Sequence, residues 1–188
     1  MSTDKGQILL PLARSAIARQ LGQTANAATD APWLHEPGAT FVTLTQAGEL
    51  RGCIGSLQAH RTLLEDVQAN ALAAAFQDPR FRPLQLTELR YTRVEVSLLS
   101  PSEPIVFESE QHALAQLRPD IDGVIFEYGY YRSTFLPQVW EQLPDPETFM
   151  AQLKRKAGLA PDFWAATVKL ARYTVSKWKE PTHTEQVA

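Results

Sequence analysis

The sequence predicts an α+β fold in which helices cover mostly antiparallel sheets. Three features carry that expectation. Two pairs of β-rich segments are each joined by a short glycine-containing turn, one at Gln46-Ala47-Gly48 and one near Gly129. Capping residues at Thr62 and Asp145 mark helix starts. At 188 residues and 44% hydrophobic, the chain can bury one substantial core or divide it between two intimate lobes, and no internal repeat is visible.

In chain order, the first element is an amphipathic helix over 7–21. Leu9, Leu12, Ala13, Ala16 and Ile17 recur at three- and four-residue steps, and Pro11 falls in the first turns, where a missing N–H costs least. Gly22 and the stretch through Asp30-Ala31-Pro32 end it. Phe41-Val42-Thr43-Leu44-Thr45 reads as a strand and 49–57 as its return strand. Thr62-Leu63-Leu64-Glu65 is a capping-box pattern, with Glu65 and Asp66 in the first turn and Leu64, Val67, Ala71, Ala74 and Ala75 as the packing stripe. Asp78-Pro79 stops that helix, because the residue before proline avoids helical backbone.

Val94, Val96 and Leu98 alternate against Glu95 and make 93–99 a strand, closed by Pro101 and Pro104. Ser109 caps a short helix through Leu117, and 121–128 and 130–136 are strands. Tyr128-Gly129-Tyr130-Tyr131 between them suits strand packing, with an aromatic ligand platform as the alternative. Asp145 as N-cap and Pro146 at the first helical position open a helix that runs to Gly158. Its basic last turn, Lys154-Arg155-Lys156, complements the helix dipole. A final strand is expected over 166–178, around Val168, Leu170, Tyr173 and Val175.

A net charge of −3 without a lysine- or arginine-rich block gives no long-range attraction to phosphate backbones, which argues against a nucleic-acid partner. No apolar stretch approaches the roughly 20 residues that cross a bilayer. The run over 8–12 meets Arg14 too soon for a secretory signal. One cysteine permits no intrachain disulfide and fits a reducing compartment, so the expected location is cytoplasmic.

That cysteine lies in Leu50-Arg51-Gly52-Cys53-Ile54-Gly55. Strand alternation places Arg51, Cys53 and Gly55 on one face, able to line a cleft between lobes, and Leu50, Gly52 and Ile54 on the other, toward the core. The glycines let another backbone or a ligand approach closely. Arg51 beside Cys53 would favour thiolate or bind a substrate carboxylate or phosphate. Backbone N–H groups over 52–55 would receive developing negative charge. In the alternative reading Cys53 is a small buried hydrophobe and the glycines serve a turn. Arg80, after the Asp78-Pro79 stop, can project toward this region.

Phosphate-loop, dinucleotide, zinc-protease and Cys-x-x-Cys signatures are missing from the sequence. His35, His60, His112 and His183 are scattered singly, so no metal site is assigned. His60 is the nearest base for Cys53 along the chain, and Glu49, Asp78 and Glu95 are equally eligible polar partners.

Phe41-Val42-Thr43-Leu44, the Leu50 to Gly55 hexapeptide, Asp78-Pro79-Arg80-Phe81, Val94-Glu95-Val96-Ser97-Leu98-Leu99-Ser100-Pro101, Phe135-Leu136-Pro137-Gln138-Val139 and Lys156-Ala157-Gly158-Leu159 together resemble the AMMECR1 domain family, in the form called AmmeMemoRadiSam system protein A. The resemblance covers about 7–180 as one domain and leaves 1–6 and 181–188 as flexible termini. It implies two unequal, interlocked subdomains around a cleft. It also implies a modification pathway shared with Memo-like and radical S-adenosylmethionine proteins. Arg51, Gly52, Cys53, Ile54, Gly55 and Arg80 are the site residues it carries over. It assigns no cofactor, and one cysteine cannot by itself supply the usual ligation of an iron–sulfur cluster. An enzyme with a cleft cysteine and a noncatalytic module binding partners or a small anionic ligand both fit it.

Overall fold

A computed structural model of the chain describes residues 4–181. The elements in order are α1 (Gly6–Gln20), β1 (Ala39–Gln46), β2 (Glu49–Gly55), α2 (Leu63–Phe76), α3 (Leu86–Leu89), β3 (Thr92–Leu99), β4 (Glu103–Ile105), α4 (Glu110–Ala115), β5 (Gly123–Tyr128), β6 (Tyr131–Phe135), α5 (Pro146–Lys156), β7 (Lys169–Tyr173) and β8 (Val175–Lys179). They fall into two compact units, Met1–Leu99 with Ser176–Ala188, and Ser100–Val175. The α+β class expected from the sequence is what the chain adopts.

The first unit carries a four-stranded sheet in the order β2-β1-β3-β8. β1 pairs antiparallel with β2 and β3, so Leu44 stands opposite Gly52 on one side and Val94 on the other. Val42, Leu44, Val94 and Val96 point to one face and are buried with Leu9, Leu12 and Ile17 of α1 and Val67, Ala71 and Ala74 of α2. The Thr62 capping box is present, and α2 ends at Phe76 before Asp78-Pro79.

The packing stripe of α2 differs from expectation: Asp66 and Asn70 lie on its buried face. The Asp66 carboxylate accepts from Thr40 N (2.7 Å), Thr40 Oγ1 (2.7 Å), Ser56 Oγ (2.7 Å), Arg61 Nε (2.8 Å) and Asn70 Nδ2 (2.9 Å). A charge out of water is tolerable when every lone pair is met in this way.

The second unit carries the sheet β4-β7-β5-β6, with every adjacent pair antiparallel. Val124, Phe126, Trp140, Phe149, Met150, Leu153 and Leu170 form its core. The Trp140 and Phe149 rings stack with centroids 3.7 Å apart, and Trp140 Nε1 donates to the Asp122 carbonyl (2.7 Å).

Three further expectations are corrected. The final strand is divided at Thr174 into β7 and β8, which serve different sheets. Pro104 lies inside β4 instead of closing β3, at a sheet edge where the missing N–H is tolerated. Lys154 stands in the basic last turn as expected, but the helix end alone does not explain it: its side chain is buried, bonded to Glu110 and the Pro161 carbonyl, over the Trp164 ring. Of the expected flexible termini, 1–3 and 182–188 lie outside the described residues, as does His183. No helix among the described residues is long and apolar enough to cross a membrane.

Candidate functional site around Cys53

The hairpin that carries Cys53 is as expected, but its strand register is not uniform. Leu50 stands opposite Thr45 and Gly52 opposite Leu44, which leaves Arg51 as an extra residue in a β-bulge. A bulge breaks alternation, so the expected shared face of Arg51, Cys53 and Gly55 fails at Arg51. Cys53 and Gly55 keep a common face, opposite Thr43 and Phe41, while Gly52 and Ile54 stand opposite the buried Leu44 and Val42. Leu50, expected toward the core, is exposed. Arg51 is buried and donates through Nε and Nη2 to Glu88 of α3 (3.3 and 3.2 Å), with the Phe81 ring 6.0 Å away.

Each glycine of the hexapeptide admits a close neighbour. A Cβ on Gly52 would lie 2.1 Å from the Ala74 carbonyl oxygen of α2, so the helix rests directly on the strand. A Cβ on Gly55 would lie 2.2 Å from the Phe41 ring, which covers the strand there.

Cys53 is half-buried, and the Thr43 hydroxyl donates to its sulfur (Oγ1 to Sγ, 3.3 Å). β2 is an edge strand, and the backbone of Cys53 is met on its open side by two side chains. Asp78 Oδ2 accepts the Cys53 N–H (2.9 Å), and Arg80 Nη2 donates to the Cys53 carbonyl (3.3 Å). The Asp78 and Arg80 side chains are themselves joined by two bonds (2.9 and 2.7 Å), with Arg80 N also donating to Asp78 Oδ1 (3.1 Å), so the ion pair does for Cys53 what a neighbouring strand would do. This bond also occupies one of the backbone N–H groups expected to receive developing charge.

Asp78 is buried, yet its carboxyl is held well below the usual carboxylate range. The Arg80 hydrogen bonds outweigh burial, and the Cys53 N–H adds to them. The half-exposed Arg80 guanidinium is held charged mainly by Asp78, with a smaller electrostatic contribution from Cys53. Arg80 is therefore the arginine that bonds the Cys53 backbone, whereas Arg51 is turned to Glu88.

Among the other eligible partners, Glu95 stands opposite Thr43 on β3 and pairs with Lys179 (2.8 Å). His60 is exposed, its Nδ1 2.9 Å from the Gln58 carbonyl oxygen. Thr43 and Asp78 are the contributors that sequence reading undervalued. The signal for Asp78 was present in Asp78-Pro79-Arg80, an acid and a base two residues apart on a forced turn. No group of three or more metal-ligating side chains is clustered among the described residues.

Fold and site together define a two-unit α+β protein with a glycine-flanked cysteine on a sheet edge. The chain belongs to the AMMECR1 family, whose model, described as AMMECR1, matches residues 10–178. It is 36% identical over 185 residues to a protein of Methanothermobacter thermautotrophicus, spanning 96% of each chain. It is 42% identical over 134 residues to protein MJ0810 of Methanocaldococcus jannaschii, covering 70% of this chain and 67% of that one. Among solved structures, the uncharacterized protein PH0010 from Pyrococcus horikoshii superposes with a TM-score of 0.77 at 36% identity, over 95% of this chain and 93% of that one.

Proposed function

We propose that this chain is an accessory component of a modification pathway, acting in the cytoplasm with a Memo-like protein and a radical S-adenosylmethionine protein, and that Cys53 is the thiol it presents to substrate. One observation carries the reading: a half-exposed sulfur receives the Thr43 hydroxyl, and a buried Asp78 fixes the charged Arg80 on the carbonyl of the same residue. A hydroxyl donor and a nearby cation both favour thiolate, the nucleophilic form. In the catalytic step Cys53 Sγ bonds to an electrophilic acyl or alkyl carbon, the leaving group departs with the bonding pair, and the thiol proton passes to solvent. Arg80 is suited to orient an anionic group on the same substrate, while Arg51 holds the bulge through Glu88.

The test is the rate of iodoacetamide alkylation in the wild type and in Arg80→Gln, with a pathway assay of Cys53→Ser. Slower alkylation in Arg80→Gln and loss of product in Cys53→Ser are expected. An inert thiol and full activity in Cys53→Ser overturn the reading.

A second reading, a noncatalytic module that docks those partners or a small anionic ligand, draws on the packing. Gly52, Ile54 and Gly55 fill packing positions, Arg51 is engaged by Glu88, and His60 is bonded to a backbone carbonyl. It expects retained function in Cys53→Ala and lost partner binding, by pull-down, in Arg51→Ala or Arg80→Ala.

A further inference from the structure

The face of the first sheet that turns away from α1 and α2 carries a row of side chains crossing all four strands. Val42, Leu44, Val94 and Val96 point to the helices, so Thr43 and Glu95 stand on the other face, with Cys53. Cys53 is opposite Thr43, and Thr43 is opposite Glu95. From β8, whose Trp178 packs against the core, Lys179 and Lys177 reach the Glu95 carboxylate (2.8 and 4.0 Å). A thiol therefore lies at one end of the row and two ammoniums at the other.

Charge is divided unevenly along it. Two ammoniums share one carboxylate, which leaves a positive charge over among the described residues, in a chain whose net charge is −3. The Glu95 side chain is only 16% exposed, against 46% for Lys177 and 64% for Lys179, so an approaching solute meets the lysines before the acid. Arg80 differs from them: it bonds the Cys53 carbonyl at the open edge of β2, and the buried Asp78 balances its charge. Two strand spacings, about 10 Å, separate the backbones of Cys53 and Glu95. Three extended residues span about the same length. A chain lying across the strands with its reacting carbon at Cys53 Sγ thus brings its far end to the ammoniums.

We propose that this row selects substrates that carry a carboxylate about 10 Å from the reacting carbon, received by Lys177 and Lys179 while Cys53 meets the carbon. The inference rests on Cys53 being the thiol presented to substrate. The experiment measures, by mass spectrometry at low ionic strength, how fast the full chain is alkylated by iodoacetyl-glycylglycine and by iodoacetamidohexanoate, each against its neutral primary amide. In every probe Sγ bonds to the iodomethyl carbon, iodide leaves with the bonding pair and the thiol proton passes to solvent. The acids are expected to react about threefold faster than their amides, the scale of an exposed ion pair. A larger ratio for the glycylglycine acid marks a peptide substrate, and equal ratios a plain acyl chain. The ratio should fall to near one when Lys177→Gln and Lys179→Gln are combined, and rise in Glu95→Gln. Iodoacetate, too short to reach the lysines, should show no dependence on them relative to iodoacetamide. Equal rates for acid and amide, a ratio unchanged in the double lysine variant or lowered in Glu95→Gln, or an equal lysine dependence for iodoacetate would each overturn this inference alone. A thiol inert to the amides as well would overturn the thiol reading and this inference with it.

Discussion

Gly52 and Gly55 look alike in the sequence and differ in what they touch. The atom that a Gly52 Cβ would strike is a helix carbonyl, which cannot rotate away; the one at Gly55 is an aromatic side chain, which can. Gly52→Ala should therefore lower stability by more than the about 1–3 kcal/mol of ordinary overpacking, and Gly55→Ala by less than Gly52→Ala. Chemical denaturation of both variants measures the difference. Asp78 makes an acid-side prediction. Its folded pKa is depressed below the ordinary value of about 3.9, so its stabilisation is complete above that pH and is lost as pH falls through the folded pKa. Asp78→Asn should flatten the fall in stability below about pH 4, read from thermal melts across pH. The sequence singled out Cys53, Gly52 and Gly55 as one constellation, but the bulge at Arg51 follows from register with β1, and no feature of the hexapeptide alone encodes it.

Elements whose cause is local are legible in the sequence. The Thr62 capping box, the Asp145 cap with Pro146 behind it, and the turn at Ala47-Gly48 each need only neighbouring residues, and each stands where expected. Elements whose cause is distant are not. The sequence marks Asp66 only as a first-turn acid and leaves Asn70 without a role, because their partners Thr40 and Ser56 lie on and beside the hairpin. Lys154 reads as a helix-end charge until α4 supplies Glu110. The Asp66 cluster carries the element-scale prediction. Asp66→Ala removes the acceptor for a buried backbone N–H and strands Arg61, so about 3–5 kcal/mol should be lost in urea unfolding. A loss below about 1 kcal/mol would mean the cluster adds little to the hold of α2 on β1.

The composition allowed one core or two, and the structure has two units, the second inserted in the sequence of the first. The ends of the insert are tied together: Ser100 N donates to the Thr174 carbonyl (2.9 Å), and Thr174 N to Ser100 Oγ (2.9 Å). With Glu180 N donating to the Val94 carbonyl (3.0 Å), these contacts run in opposite directions along β3 and β8, as in an antiparallel pair. A short turn replacing 100–175 should thus convert β3 and β8 into a hairpin, and the shortened chain is expected to unfold in one cooperative transition by circular dichroism. A chain without a cooperative transition would show that the first unit needs the second. The same insertion sets a timetable during translation. The second unit has all its strands once β7 has left the ribosome, whereas β3 must wait with an unpaired edge until β8 follows, bringing Trp178 to the core and Glu180 to Arg14. The unit whose synthesis begins first is the one completed last.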